Sequence, residues 1–161
     1  MIKEIYRNQV DLLLRVLPHV AKEEIFALKG GTAINFFVRD LPRLSVDIDL
    51  TYLPIDSREI ALKNIQDGLA RIKNDIEKYQ KDINVTPVPL RGSDVKLNCQ
   101  CNNAQIKIEV NTVTRGNVFE TQKMSVLEKV QDEFDKFAEI RVVSMAELYG
   151  GKICAALDRQ H

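Results

Sequence analysis

Apolar residues along this chain recur with two different periods, and each period predicts one type of element. Near the amino terminus they form a single helical stripe, at Ile5, Leu12, Leu13, Val16 and Leu17. The stripe predicts a helix over residues 2–17 that ends at Pro18, with its leucines facing either the core or a partner. A shorter apolar run at residues 25–28 predicts a strand that stops at Gly30-Gly31, followed by a helix over residues 32–38.

Alternation of apolar and polar residues marks the remaining predicted strands. Residues 45–51 alternate cleanly. Residues 95–101 and 105–110 alternate on either side of Asn102-Asn103, which predicts a β-hairpin. Residues 139–143 predict a last strand.

Two sequences resembling capping boxes indicate where further helices begin. The first, at residues 56–59, predicts a long polar helix as far as about Tyr79, and the second, at residues 144–147, predicts a helix through Leu157. Residues 119–137 give no clear period. The order of elements predicts an α+β domain with a mixed, mainly antiparallel sheet flanked by helices.

Composition narrows the class of protein. The chain has 161 residues, 45% hydrophobic and 29% charged, with 23 Lys and Arg against 23 Asp and Glu. This length suits one domain, and the hydrophobic content argues against a disordered chain. Neutrality argues against a grossly basic nucleic-acid binder but leaves room for a local basic groove. Because no apolar run reaches the roughly 18 residues of a membrane span and no secretory signal is present, we expect a cytoplasmic protein without membrane association.

The three cysteines predict buried thiols rather than disulfides. Cys99 and Cys101 lie two apart in a predicted strand, so that both side chains point the same way and a bond between them is disfavoured. A metal site on these thiols would need partners, and the chain has only two histidines.

Three acidic residues carry the candidate chemistry. Asp47 and Asp49 share one face of a predicted strand, roughly 6 to 7 Å apart at the backbone. Their mutual repulsion costs stability unless a cation lies between them, and carboxylate oxygens suit Mg²⁺ or Mn²⁺. Glu109 occupies a similar apolar–polar–apolar setting on another predicted strand. If the two strands pair, three carboxylates meet and predict a metal site for phosphoryl or nucleotidyl transfer. The alternative is that all three are the solvent face of half-exposed strands.

A Gly30-Gly31-Thr32 turn precedes these acids, between a predicted strand and a predicted helix. Glycines there let backbone N–H groups approach a phosphate, and the Thr32 hydroxyl adds a group for a phosphate or an ion. The turn fits neither the Walker A pattern nor the dinucleotide fingerprint.

Four blocks of sequence together resemble the nucleotidyltransferase superfamily, and within it the AbiEii/AbiGii-type toxins of abortive-infection and type IV toxin–antitoxin systems. The blocks are LKGGTA at residues 28–33, RLSVDIDL at 43–50, IKIEVN at 106–111, and ELYGGKI at 147–153 with Ala155, Ala156 and Arg159. The resemblance runs from about residue 25 to the last residue and implies a polymerase β-type core.

The resemblance also implies roles for individual residues. Gly30, Gly31 and Thr32 would hold the triphosphate of an NTP. Asp47 and Asp49 would bind Mg²⁺ or Mn²⁺, and Glu109 would complete the set as a ligand or as the base.

Three basic residues also receive roles from the resemblance. Lys152 would lie near the nucleotide phosphates, while Arg43 and Arg159 would each contact phosphate or brace the aspartates. The alternatives are a solvated helix lysine for Lys152 and a surface ion pair with Asp40 or Asp47 for Arg43.

The expected activity is transfer of a nucleoside monophosphate from an NTP to an acceptor hydroxyl, with a tRNA 3′ end or a protein as acceptor and a cognate antitoxin as partner. The alternatives are a non-catalytic domain that binds a nucleotide or partner, and a kinase-like phosphoryl transferase using the same site. Proteins of this type usually continue into a helical domain, so the 161 residues are expected to be a single catalytic domain cut short before it.

Overall fold

The computed structural model describes residues 4–33, 36, 37, 46–91, 94–116, 120–144 and 146. Its helices are α1 (Glu4–Ala21), α2 (Gly30–Ala33), α3 (Arg58–Tyr79) and α4 (Glu128–Phe134). Its strands are β1 (Phe26–Lys29), β2 (Ile48–Tyr52), β3 (Asn84–Arg91), β4 (Asp94–Cys101), β5 (Ala104–Arg115), β6 (Gln122–Ser125) and β7 (Glu139–Val142).

The described strands form one seven-stranded sheet in the order β3-β4-β5-β2-β1-β7-β6. The pairs β1–β2, β3–β4, β4–β5 and β6–β7 are antiparallel, and the pairs β1–β7 and β2–β5 are parallel. The α+β prediction with a mixed, mainly antiparallel sheet is therefore confirmed. The parallel β2–β5 pair lies in the middle of the sheet, and it determines which polar residues become neighbours.

Helices α1 and α3 pack together against the sheet, with α1 contacting β5 and β7 and α3 contacting β3, β4 and β5. Their buried residues, which include Leu12, Leu13 and Val16 of α1, form one core with the apolar side of the strands. The stripe on α1 therefore faces the core from Leu12 onwards, whereas Ile5 is exposed. Burial of apolar surface, which contributes about 25 cal/mol per Å², holds these helices on the sheet.

The predicted hairpin is present as β4 and β5. Cys101 pairs with Ala104, and Asn102 in the turn has a φ of 53°, a left-handed conformation that asparagine tolerates better than most residues. The long helix is also confirmed. Ser57 is its N-cap and accepts a hydrogen bond from the Ile60 N–H, which satisfies one of the N–H groups that a helix start leaves unpaired.

The prediction that the first helix ends at Pro18 is wrong, because α1 continues to Ala21. Proline removes one backbone hydrogen bond and disfavours a helix interior. Here it lies in the last turn, where Leu17 and Val20 are buried and their packing outweighs the lost bond.

The sequence pattern missed β3 and left residues 119–137 unassigned. β3 contains two prolines and forms an edge of the sheet, where a strand tolerates residues without an N–H group. The unassigned stretch contains β6 and α4, each too short to establish a period. The predicted helix after residue 144 lies outside the described residues except for Ala146.

The two described cysteines differ in burial. Cys99 is buried, and its burial raises the pKa of its thiol to about 12. Cys101 is half-buried, with its sulfur 3.4 Å from Oδ2 of Asp82. The buried-thiol prediction is confirmed for Cys99, while Cys154 lies outside the described residues.

An ion pair joins α1 to the loop before β3. Arg15 donates from Nη2 to Oδ1 of Asp82 at 2.5 Å and from Nη1 to Oδ2 at 3.0 Å. This pairing, with help from the Cys101 thiol, lowers the pKa of Asp82 from 3.8 to about 2. A carboxyl whose pKa is lower in the folded state contributes stability above its unfolded pKa and loses that contribution as the pH falls towards the folded pKa.

We therefore expect the Asp82 carboxyl to titrate near pH 2 in the native protein and near its ordinary value in Arg15→Met, as measured by carbon NMR. The stability difference between wild type and Asp82→Asn should shrink as the pH falls from about 4 to about 2. Lys73→Met, which removes a separate ion pair on α3, serves as the control and should leave the Asp82 titration unchanged. An unaltered Asp82 pKa in Arg15→Met would show that the pairing does not form in solution.

Candidate active site

The Gly30-Gly31 turn lies against one of the predicted acids. Gly30 directly follows β1 and is the first residue of α2. Its φ of 83° is a left-handed conformation that favours glycine. A Cβ atom at this position would lie 2.6 Å from Oδ2 of Asp49. The absence of a side chain at Gly30 is therefore what allows the Asp49 carboxylate to lie beside the turn.

Thr32 connects the same turn to the start of β2. It is buried, and its hydroxyl donates a hydrogen bond to the backbone carbonyl of Asp47. This bond ties α2 to the residue immediately before β2, the strand that carries Asp49. Contact of Gly30, Gly31 and Thr32 with a phosphate stays a prediction.

Asp49 and Glu109 are neighbours across the central parallel pair. The register of β2 and β5 places Asp49 opposite Glu109, with Ile48 opposite Ile108 and Leu50 opposite Val110. Because residues paired in this way project from the same side of a sheet, the two carboxylates share one face while the apolar residues face the helices. The pairing of the two strands, on which the three-acid hypothesis depends, is confirmed.

Two lysines extend these acids into a row of four charged residues. Lys29 on β1 pairs in register with Asp49, and Lys96 on β4 pairs in register with Glu109. Nζ of Lys96 lies 3.4 Å from Oε1 of Glu109, and both side chains are about one-third exposed, at 32% and 30%. Two like charges on adjacent strands repel each other, and the flanking lysines offset that repulsion.

Asp47 lies at the edge of the row. It is half-buried, and its Oδ1 accepts a hydrogen bond from the backbone N–H of Lys107 at 3.3 Å. This bond ties the residue before β2 to β5, two positions before Glu109. Asp47 therefore contributes to the pairing of the two acidic strands.

No group of three or more His, Cys, Asp or Glu side chains arranged to hold a metal ion occurs in the part of the chain that the structure describes. The pair Asp49 and Glu109 nevertheless fits a magnesium ion that arrives with a nucleotide. Mg²⁺ is usually bound by one or two carboxylates together with phosphates and waters, rather than by a cage of protein ligands. The assignment of Asp47, Asp49 and Glu109 to a metal stays a prediction.

The remaining predicted site residues, Arg43, Lys152 and Arg159, lie outside the described residues. Sequence reasoning missed Lys96 and Lys29. Counting back from a two-residue turn at Asn102-Asn103 pairs Lys96 with Glu109, so the hairpin prediction already contained the signal for Lys96. Lys29 stands beside the Gly-Gly turn, but its position opposite Asp49 depends on the antiparallel β1–β2 pairing.

Comparison with known families shows to which protein family the chain belongs. Residues 11–161 match the family described as "Nucleotidyl transferase AbiEii toxin, Type IV TA system". The chain belongs to the AbiEii nucleotidyl transferase toxin family. The AbiEii match covers every predicted site residue from Gly30 to Arg159.

A solved structure shares this fold. MenT4, a nucleotidyltransferase toxin from Mycobacterium tuberculosis H37Rv, matches with a TM-score of 0.60 at 14% sequence identity. The match covers 89% of this chain and 51% of the MenT4 chain, so this chain spans about half the length of that relative. No curated protein matches the sequence. In the described part of the chain, no helix is long and apolar enough to cross a membrane.

Proposed function

We propose that this protein is a metal-dependent nucleotidyltransferase toxin. It transfers a nucleoside monophosphate from an NTP to an acceptor hydroxyl and releases pyrophosphate. The observation that carries the proposal is the adjacency of Asp49 and Glu109 on one sheet face, with Asp49 packed against the Gly30 turn. Membership of the AbiEii family supports the same reaction.

In this reaction the acceptor oxygen forms a bond to the α-phosphorus, while the bond from that phosphorus to the bridging oxygen of pyrophosphate breaks. Asp47 and Asp49 would hold the divalent ion, and Glu109 would either join them or take the proton of the acceptor hydroxyl. Mg²⁺ or Mn²⁺, when bound, neutralises charge that develops on the phosphate oxygens.

The Gly30 turn places the phosphates beside Asp49. Thr32 maintains the spacing between that turn and β2. The basic residues Arg43, Lys152 and Arg159 bind the phosphates and the departing pyrophosphate.

The acceptor is a tRNA 3′ end or a protein side chain, the partner is a cognate antitoxin, and the reaction takes place in the cytoplasm. The family description names a type IV toxin–antitoxin system, which supports the antitoxin. MenT4 is named a nucleotidyltransferase toxin, which supports the reaction class.

The test uses NTPs labelled at the α- or the γ-phosphate, incubated with the protein, Mg²⁺, total tRNA and a cell protein extract. We expect α-label to enter the acceptor and γ-label to leave as pyrophosphate. The Asp47→Ala/Asp49→Ala double variant should lose transfer by at least about a thousandfold. Lys73→Met, a substitution on α3, should transfer like wild type.

The other outcomes separate the alternatives. Entry of γ-label alone identifies a kinase-like phosphoryl transferase. Tight NTP binding in calorimetry without transfer of either label identifies a non-catalytic nucleotide-binding domain. Equal transfer by wild type and the double variant shows that the two aspartates do not hold the metal.

A further inference from the structure

Lys96 forms an ion pair with Glu109, one of the proposed catalytic acids. Its Nζ lies 3.4 Å from Oε1 of Glu109, and the register of β4 and β5 places the two residues opposite each other. On its other side Lys96 faces Val88 of β3, an apolar residue. The Lys96 ammonium is therefore directed towards Glu109 by its position in the sheet.

The setting of this pair differs from that of the two lysine pairs within α3. The pairs Lys63–Asp67 and Lys73–Glu77 join residues one turn apart on a single helix, whereas Lys96 and Glu109 lie on two adjacent strands. The carboxylate of Glu109 has Asp49 on its other side. Lys96 thus occupies the place beside Glu109 where positive charge is needed in the absence of a metal ion.

Binding of a nucleotide with its metal ion changes this balance. If Glu109 joins Asp49 as a ligand, a divalent cation would take over the neutralisation of both carboxylates, and the triphosphate would add negative charge on the same face. The Lys96 ammonium is then repelled by the cation and attracted by the phosphates, and its one-third exposure leaves the flexible lysine stem free to turn.

We propose that Lys96 is a further nucleotide-positioning residue of this site. It neutralises Glu109 in the nucleotide-free protein and contacts the phosphates of the NTP once a divalent cation occupies the acidic pair. This inference rests on the proposed function. It predicts opposite effects of one substitution on metal binding and on nucleotide use, which a purely structural ion pair does not.

The experiment compares Lys96→Met and Lys96→Arg with wild type, and uses Lys73→Met as the matched control. Lys73 and Glu77 form an ion pair of similar exposure, 29% and 38%, within helix α3. Mn²⁺ alone is titrated into each protein and followed by the electron spin resonance of the free ion. The KM and kcat for NTP are measured separately with the labelled-transfer assay.

We expect Lys96→Met to bind Mn²⁺ about three- to tenfold more tightly, because a competing cation has been removed. Its KM for NTP should rise about tenfold, with kcat within about threefold of wild type. Lys96→Arg should restore the KM, and Lys73→Met should match wild type in both measurements.

Unchanged Mn²⁺ affinity and unchanged KM in Lys96→Met would overturn the inference. If the wild type still transfers label, the proposed function stands in that case. Weaker Mn²⁺ binding in Lys96→Met would also overturn it, since Lys96 would then be orienting Glu109 rather than competing for it. Tighter Mn²⁺ binding, together with weaker binding of a non-hydrolysable NTP analogue in calorimetry, would support the inference even if the wild type transfers no label. In that case only the proposed reaction fails.

Discussion

Replacing Asp49 with Asn is expected to lower nucleotidyl transfer by about a thousandfold or more, with no loss of fold. The substitution keeps the shape of the side chain against Gly30 but removes the negative charge that lies beside Glu109. Metal-assisted transfer depends on that charge, whereas the fold does not, because the apolar residues on either side of Asp49 face the opposite, helix-covered side of β2.

The free energy of unfolding provides the second measurement for this variant. Two acids on adjacent strands destabilise each other, so Asp49→Asn should keep the wild-type stability to within about 0.5 kcal/mol or exceed it. Asp67→Asn, which removes an exposed acid paired with Lys63 on α3, is the matched control and should retain transfer. Transfer that survives in Asp49→Asn would show that Asp49 belongs only to the polar surface of the sheet.

Replacing Gly30 with Ala is expected to reduce both stability and transfer. The new Cβ would lie 2.6 Å from Oδ2 of Asp49, closer than non-bonded atoms tolerate, and the φ of 83° would strain any side-chain-bearing residue. We expect the free energy of unfolding to fall by about 1–3 kcal/mol. Displacement of the Asp49 carboxylate should lower transfer by about a hundredfold, because small misplacements of reacting groups are costly.

Gly116→Ala separates the two effects. Gly116 has nearly the same φ, 80°, but the nearest atom to an added Cβ is Cγ1 of Ile55 at 3.3 Å. This variant should lose a similar amount of stability in chemical denaturation while retaining kcat below its melting transition. Equal losses of transfer in Gly116→Ala and Gly30→Ala would attribute the Gly30 effect to instability rather than to the position of Asp49.

Asp49→Asn and Gly30→Ala both test the contact between the glycine turn and the acidic strand β2. Neither the glycine turn nor a single acidic residue on a strand identifies a site by itself. Glycine turns are common, and an acidic residue on a strand usually faces solvent. The contact between Gly30 and Asp49 and the pairing of Asp49 with Glu109 combine them into one candidate centre.

The elements with local signals could be predicted from the amino-acid pattern alone. A clean alternation predicted β2, β5 and the β4–β5 hairpin, and a Ser57 cap followed by a long periodic stretch predicted α3. The amino-acid pattern also identified the acidic residues and the glycine turn, because their residue types and spacing carry chemical meaning. Local signals failed where packing outweighed propensity, at Pro18 within α1, and where prolines hid an edge strand, at β3.

Which of these elements become neighbours depends on the folded sheet as a whole. β2 and β5 are separated by a long helix and two further strands, and their parallel register gives no local trace in the sequence. That register makes Asp49 and Glu109 neighbours, and the β1–β2 pairing brings Lys29 opposite Asp49. The physical reason is that a strand presents the same alternating pattern to any partner. The choice of partner and register is made by the burial of the apolar face under α1 and α3, over the whole sheet at once.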